Sequence, residues 1–318
     1  MLRRATEVIF RLLRFIVMKL ILIHGRSQED KDPDVLRHKW VSALRAGAEA
    51  GGLEVPICEE DILFPYFGDA LRDLTTDEES IGLAHIAVAE PHFDDLEFRC
   101  RVLNDCLDGA GVSEQMVSKE LEPHHRAPGP LSREWVQKGL ALLDRHVPGA
   151  SARSLAWTAE DVAQYLQNED VRGYIEDGVA RAFRRVDDDE EVVVIGHSLG
   201  SIIAYSMLRE GGRIDRPVKA LITIGSPLGV TAIRQALGPI SHPPHVASWF
   251  NAYDVRDSIA LVPLDKRNFD VQPSIKNYGG VENDSYNHHS ISGYLSDRAV
   301  ATKIIKELRT SNRELAMS

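Results

Sequence analysis

Glu191-Val192-Val193-Val194-Ile195-Gly196-His197-Ser198-Leu199-Gly200, running on into Ser201-Ile202-Ile203-Ala204-Tyr205-Ser206-Met207-Leu208-Arg209, decides how the rest of the chain is read. Val192–Ile195 is an unbroken apolar, mostly β-branched run, the pattern of a strand with both faces buried in a parallel sheet. Ser201–Leu208 suits a helix, and the pattern G-x-S-x-G lies between the two. A strand, a sharp turn and a helix around that pattern form a nucleophile elbow, with Ser198 at the tip of the turn at positive φ. Gly196 and Gly200 lack the Cβ atoms that would otherwise collide where strand and helix pass. The helix N-terminus favours negative charge developing at the Ser198 hydroxyl. The competing reading, a tight turn without chemistry, has less support because chance rarely supplies both a buried strand before the motif and a helix after it.

With these flanks the sequence resembles the α/β-hydrolase superfamily, especially its bacterial lipase- and esterase-like members. The resemblance implies a mostly parallel central sheet flanked by helices. It also implies a Ser-His-Asp triad, a second backbone donor for the oxyanion, and no cofactor.

Composition sets the outer bounds. The chain has 318 residues, 43% of them hydrophobic, enough for a sizeable core. Its net charge of −11 argues against nucleic acid and against general attraction to anionic lipid. Cys58, Cys100 and Cys106 form no C-x-x-C pair. They read as buried thiols of a reduced, cytoplasmic protein.

Met18-Lys19-Leu20-Ile21-Leu22-Ile23 makes a complete first strand ending in His24-Gly25-Arg26-Ser27. In α/β-hydrolases a strand ending in His-Gly leads into the loop whose N–H completes the oxyanion hole, a position matched here by Arg26. Gly25 lets the chain turn tightly enough for that amide to face the site. His24 reads as a structural histidine bonded to nearby backbone, and Arg26 and Ser27 as candidate contacts to a substrate headgroup. Asp32 and Pro33 open a helix as N-cap and first position, with Val35, Leu36, Trp40, Leu44 and Ala48 as its apolar face and Gly51-Gly52 as its end. The fold usually has two further strands before this one, so the sheet should lack them. The next strand is expected within Val55–Phe67, with Phe64–Asp69 near the mouth of the site.

About 120 residues then separate Asp69 from the elbow strand, far more than an ordinary crossover needs. They read as a helical cap insertion over roughly residues 70–170. Ser132 is expected to N-cap a helix carrying Trp135, Leu140, Leu142 and Leu143, and Thr158 another carrying Val162, Tyr165 and Leu166. Val171–Val186 is expected to cross back into the elbow strand. Pro123, Pro128, Gly129 and Pro130 suggest a hinge. Asp187–Glu190 reads as a solvated turn, and His124-His125 lacks any metal-ligand spacing.

Beyond the elbow, Val218–Ile224 and Val246–Tyr253 read as parallel strands. Gly225-Ser226-Pro227 after the first reads as wall and backbone support. The acid belongs after the second strand, where Asp254 and Asp257 compete. Asp257, followed by Ser258-Ile259-Ala260, resembles the Asp-Pro-Val-Ala context of lipase-like relatives, with Ser258 in place of proline, and is preferred. The base must follow the acid, which leaves His288 and His289 and excludes His242 and His245. His289 keeps the spacing to Gly293-Tyr294-Leu295 that resembles relatives with a catalytic histidine before their last helix. Asp297 then starts a helix packing through Val300, Ile304, Ile305 and Leu308.

The sequence therefore predicts a serine hydrolase of small-molecule or lipid esters, with Ser198, Asp257 and His289 as triad and the amides of Arg26 and Leu199 as oxyanion donors. An acyltransferase, a thioesterase and a non-catalytic binding module with the same fold are the rival readings, and the retained site elements weigh against the last.

Residues Met1–Val17 stand apart from the domain that runs from Met18 to Ser318. Arg3, Arg4, Arg11 and Arg14 alternate with apolar side chains there, and Glu7 is the only acid. The segment reads either as a basic amphipathic helix on a membrane surface or as an extension upstream of a working start at Met18. The second is preferred, since no later motif needs anything before Met18. A chain beginning at Met18 should keep the melting temperature and ester turnover of the full chain. Salt-sensitive co-sedimentation of only the full chain with anionic vesicles would reverse that preference, at roughly 1 kcal/mol per basic residue.

Overall fold

The computed structural model describes residues 18–25, 31–68, 93–121, 133–146 and 152–309. The expectations for Met1–Val17, Arg26, Ser27, Asp69, the Pro123–Pro130 hinge with His124 and His125, and the Ser132 cap lie outside these residues.

Six strands form one sheet: β1 (Met18–Ile23), β2 (Ile62–Leu63), β3 (Glu191–His197), β4 (Ala220–Ile224), β5 (Trp249–Ala252) and β6 (Lys276–Tyr278). Their order is β2-β1-β3-β4-β5-β6 and every neighbouring pair is parallel. The register sets Ile23 beside Gly196 and His197 beside Ile224, so the ends of β1, β3 and β4 come level at one edge. Ligands bind at such C-terminal strand ends in open α/β sheets.

Alternate residues of the central strands enter two separate cores, as the period of two requires. Leu20, Leu22, Val193, Ile195, Ile222 and Ile224 pack with α1 (Pro33–Ala50), α9 (Ile291–Ser296) and α10 (Arg298–Leu308). Ile21, Ile23, Val192, Val194 and Leu221 pack on the other side. There they meet α2 (Phe93–Gly109), α3 (Glu114–Glu120), α4 (Arg133–His146), α5 (Ala152–Gln167), α6 (Glu169–Phe183), α7 (Leu199–Leu208) and α8 (Thr231–Leu237). The sheet is thus covered on both faces, which lets Val192–Ile195 of β3 be an unbroken apolar run.

The caps follow the sequence closely. Asp32 accepts from the N–H groups of Asp34 and Val35 at the start of α1, and Asp297 from those of Ala299 and Val300 at the start of α10. Asn168 does the same for α6. α8 has no such residue of its own. Asp105, on α2, reaches across to accept from Ala232 N–H at 2.7 Å and so ties α2 to α8. Burial raises its carboxyl above the usual range, and the Ala232 N–H acts against that rise.

The structure corrects four expectations. Thr158 does not cap a helix but lies buried inside α5, which starts six residues earlier. Val35 is 64% exposed, because the core-facing stripe of α1 begins at Leu36. Cys58 is exposed, whereas Cys100 and Cys106 are buried, and none of the three is in a disulfide. β5 is confined to Trp249–Ala252, with Val246 making only an isolated bridge to Val218. The edge strand β6 had no signal of its own, being three residues long and mostly exposed.

A Cβ on Gly200 would lie 2.1 Å from the Ile23 carbonyl oxygen, and one on Gly173 in α6 would meet nothing within 4 Å. Gly200→Ala should therefore lower the urea-unfolding free energy by about 2–3 kcal/mol. Gly173→Ala should raise it by about 0.5–1 kcal/mol, since it only relieves the helix of a glycine.

Candidate active site

Ser198 sits between β3 and α7 with φ 56° and ψ −126°, a left-handed conformation that a non-glycine residue adopts only when its surroundings force it. The turn is closed on several sides. Ser198 N–H donates to the Ile224 carbonyl at 3.1 Å, and Ser201 Oγ donates to the Ser198 carbonyl at 2.6 Å. Ser201 Oγ also lies 2.7 Å from Ser226 Oγ, which places Ser226 in the support of the elbow. A Cβ on Gly196 would stand 2.5 Å from the Gly200 carbonyl oxygen, so both motif glycines are sterically required. Gly25 passes close by, its missing Cβ falling 2.8 Å from Ser198 Cβ.

The two aspartates of the loop after β5 are both buried, and their partners separate them. Asp257 accepts from His289 Nδ1 at 2.7 Å, from the Tyr294 hydroxyl at 2.6 Å on the same Oδ2, and from Ile259 N–H at 3.0 Å on Oδ1. Asp254 takes the Arg256 guanidinium at 2.7 and 3.0 Å, together with the N–H groups of Arg256 and Asn283. Burial pushes the Asp254 carboxyl upward, but the hydrogen bonds from Arg256 and Asn283 outweigh it and hold the carboxyl below its usual range.

The adjacent histidines separate in the same way. His289 faces Asp257, whereas His288 has φ 53° and places Nδ1 2.6 Å from the Asn283 carbonyl, where it donates. With Nδ1 of His289 engaged by the carboxylate, Nε2 is the nitrogen left to exchange a proton.

Two further imidazoles back the site. His24 Nε2 accepts from Phe67 N–H at 3.1 Å while Nδ1 donates to the Gly25 carbonyl at 2.7 Å, which fixes a neutral tautomer. Burial lowers its pKa to about 4. His197 Nε2 donates to the His289 carbonyl at 2.9 Å, and its ring lies 4.7 Å from that of His289. Burial, then the neighbouring His289, holds His197 well below the usual histidine range.

Ser198 and His289 open into one cleft of about 300 Å³. Leu36, Trp40, Ile259 and Ile291 give it apolar wall, and Lys31 and Lys39 also line it. Ser154, Trp157 and Thr158 of α5 complete it, and Asn287 Nδ2 donates to Ser154 Oγ at 3.2 Å across the cleft. The Leu199 amide is at the first turn of α7, where N–H groups have no intrahelical partner. Arg26, expected as the other donor, lies outside the described residues. Among the described residues no three His, Cys, Asp or Glu side chains converge as a metal site.

Sequence reasoning missed Tyr294, Asn283, His197 and Trp157. Only Tyr294 had a signal: it stands in the Gly-Tyr-Leu used to choose His289, and a buried tyrosine needs a partner for its hydroxyl.

The PGAP1-like alpha/beta domain, a hydrolase-fold family, matches residues 160–253. The matched stretch includes β3, Ser198, α7, β4, α8 and β5, and it ends before Asp257 and His289. With the parallel sheet and its two helical layers, the architecture is of the α/β-hydrolase type. No curated protein and no solved structure matches the chain.

A lowered Asp254 pKa makes its contribution to stability complete above the unfolded carboxyl value, about 3.9, and lost as pH falls through the folded value. Asp254→Asn should cost about 1–3 kcal/mol at pH 7. The gap between variant and parent should close in urea titrations carried into that acid range.

Proposed function

We propose that the chain is a serine hydrolase that cleaves a carboxylic ester through an acyl-enzyme. One observation carries the reading most: a serine in forced positive-φ geometry at a strand-to-helix turn opens into the same cleft as a histidine whose Nδ1 is held by a buried aspartate. Ser198 Oγ attacks the ester carbonyl carbon as His289 Nε2 takes its proton, forming a tetrahedral oxyanion. The amides of Leu199 and Arg26 receive that charge. Collapse breaks the bond to the alcohol, which leaves with the proton returned by His289. Water then attacks the acyl-enzyme with the same base, releasing the acid and restoring Ser198. Asp257 keeps the imidazole in the Nδ1–H tautomer and offsets its charge when protonated. The chemistry asks for no cofactor.

Trp40, Leu36, Ile259 and Ile291 favour an acyl or alcohol group with apolar surface, in keeping with a small-molecule or lipid ester. Among the described residues no helix is long and apolar enough to cross a membrane.

Fluorophosphonate labelling and hydrolysis of a short-chain 4-nitrophenyl ester test the assignment. Ser198→Ala should lose the label and up to about a millionfold in turnover. Asp257→Asn should lose on the order of 10⁴ in kcat, through the wrong imidazole tautomer. His289→Ala should abolish turnover, whereas His288→Ala and Ser226→Ala should still label. A label retained in Ser198→Ala would end the proposal.

A further inference from the structure

The acid of the site is a buried carboxylate that accepts His289 Nδ1 and the Tyr294 hydroxyl on a single oxygen. Tyr294 is fully buried in α9, five residues beyond His289, and its ring packs in the core beneath the sheet. A Cβ on Gly225 would come within 3.1 Å of that ring, so the end of β4 closes over it.

The direction of the Tyr294 hydrogen bonds follows from its partners. Its oxygen also lies 3.1 Å from Asp254 N, and a backbone amide can only donate. The hydroxyl therefore accepts from Asp254 and directs its one proton to Asp257 Oδ2. Asp254 in turn accepts from Asn283 N–H, and Asn283 Nδ2 donates to the Ser290 carbonyl, next in chain to His289. Tyr294 thus bridges Asp254 and Asp257 of the acid loop, and Asn283 links that same loop to the loop of the base.

We propose that Tyr294 is a positioning residue of this site: its hydroxyl shares the negative charge of Asp257 Oδ2 with His289 and so sets both the aim and the basicity of the imidazole. This rests on the ester-hydrolase reading above. A carboxylate relieved of one donor places more charge on the remaining one, which favours the protonated imidazole. Loss of the hydroxyl should therefore favour the protonated imidazole of His289 while loosening its orientation, with His197, the other titratable ring facing it at 4.7 Å, held neutral by burial. Burial and the adjacent Asp257 charge hold the phenol well above its ordinary pKa, so it remains a donor through the neutral range.

The test is the pH profile of kcat/KM for a soluble 4-nitrophenyl ester in the full chain. Tyr294→Phe keeps the ring and removes only the hydroxyl. It should cut kcat by about 10- to 100-fold with little change in KM, and move the acid limb upward by about half a unit to one unit. Replacing Tyr294 by 3-fluorotyrosine retains the hydroxyl as a stronger donor and should move the limb downward. This second variant serves if the phenylalanine form does not fold. A purely structural tyrosine would lower the melting temperature and leave the limb in place. A limb unmoved in the folded variants, or moved the same way in both, would overturn the proposal. Fluorophosphonate labelling of Ser198 in parallel keeps this outcome separate, because a chain that never labels fails the hydrolase reading instead.

Discussion

The backbone of Ser198 is the constraint on which the rest of the structure turns. A serine at φ 56° and ψ −126° is uphill by about 1–3 kcal/mol and persists only where its neighbours leave no alternative. Those neighbours come from every central element. β4 receives its N–H through the Ile224 carbonyl, α7 takes its carbonyl through Ser201, and the end of β1 lies so close that Gly200 can carry no Cβ. The parallel register that aligns these strand ends also gives β3 two buried faces, which supplies the burial energy that offsets the turn. The strain and the sheet are parts of one arrangement.

A second constraint follows from Asp257. Among the described residues the hydrogen-bond partners of its carboxylate are His289, Tyr294 and the Ile259 amide, with no guanidinium or ammonium between them. A buried charge without a cation has to be stabilised by well-aimed dipoles. Asp254, three residues earlier and equally buried, has the opposite solution in the Arg256 guanidinium. A carboxylate neutralised by arginine has little left to offer an imidazolium, whereas one held by neutral donors keeps its field for it. In the proposed reaction that difference decides which aspartate can serve as the acid.

Much of this was legible in the sequence because local rules and tertiary demands agree there. Val192–Ile195, the glycines at 196 and 200, and the Asp caps of α1 and α10 each act through backbone geometry, which residue identity reports directly. The preference for Asp257 over Asp254, and for His289 over His288, rests on the resemblance of the residues that follow them to those of known hydrolases, and the fold brings His289 Nδ1 to 2.7 Å from Asp257. What was hidden depends on contacts between distant segments. Thr158 looks like a cap in isolation, yet α5 begins upstream and buries it. The Asp105 cap of α8 joins residues 127 apart, and no local pattern announces it. Tyr294 and Asn283 likewise act through partners that only the folded chain brings near.

The histidines show how burial sorts residues of one chemistry into different work. His197 and His289 line the cleft with Ser198, and His24 precedes the Gly25 that packs on it, yet among the described residues only His289 of the three has a carboxylate on its ring. If His197 were charged, its ring centre 4.7 Å from that of His289 would oppose the imidazolium by about 3–4 kcal/mol at an effective dielectric constant near 20. That is a penalty of several hundredfold on the protonated base the proposed mechanism requires. Burial keeps His197 neutral, and its Nε2–H is directed at the His289 carbonyl, so the same residue braces the base loop without competing for the proton. His24 is kept neutral by the same means, with both ring nitrogens engaged by backbone. The site can therefore hold three imidazoles at close quarters and still present one base.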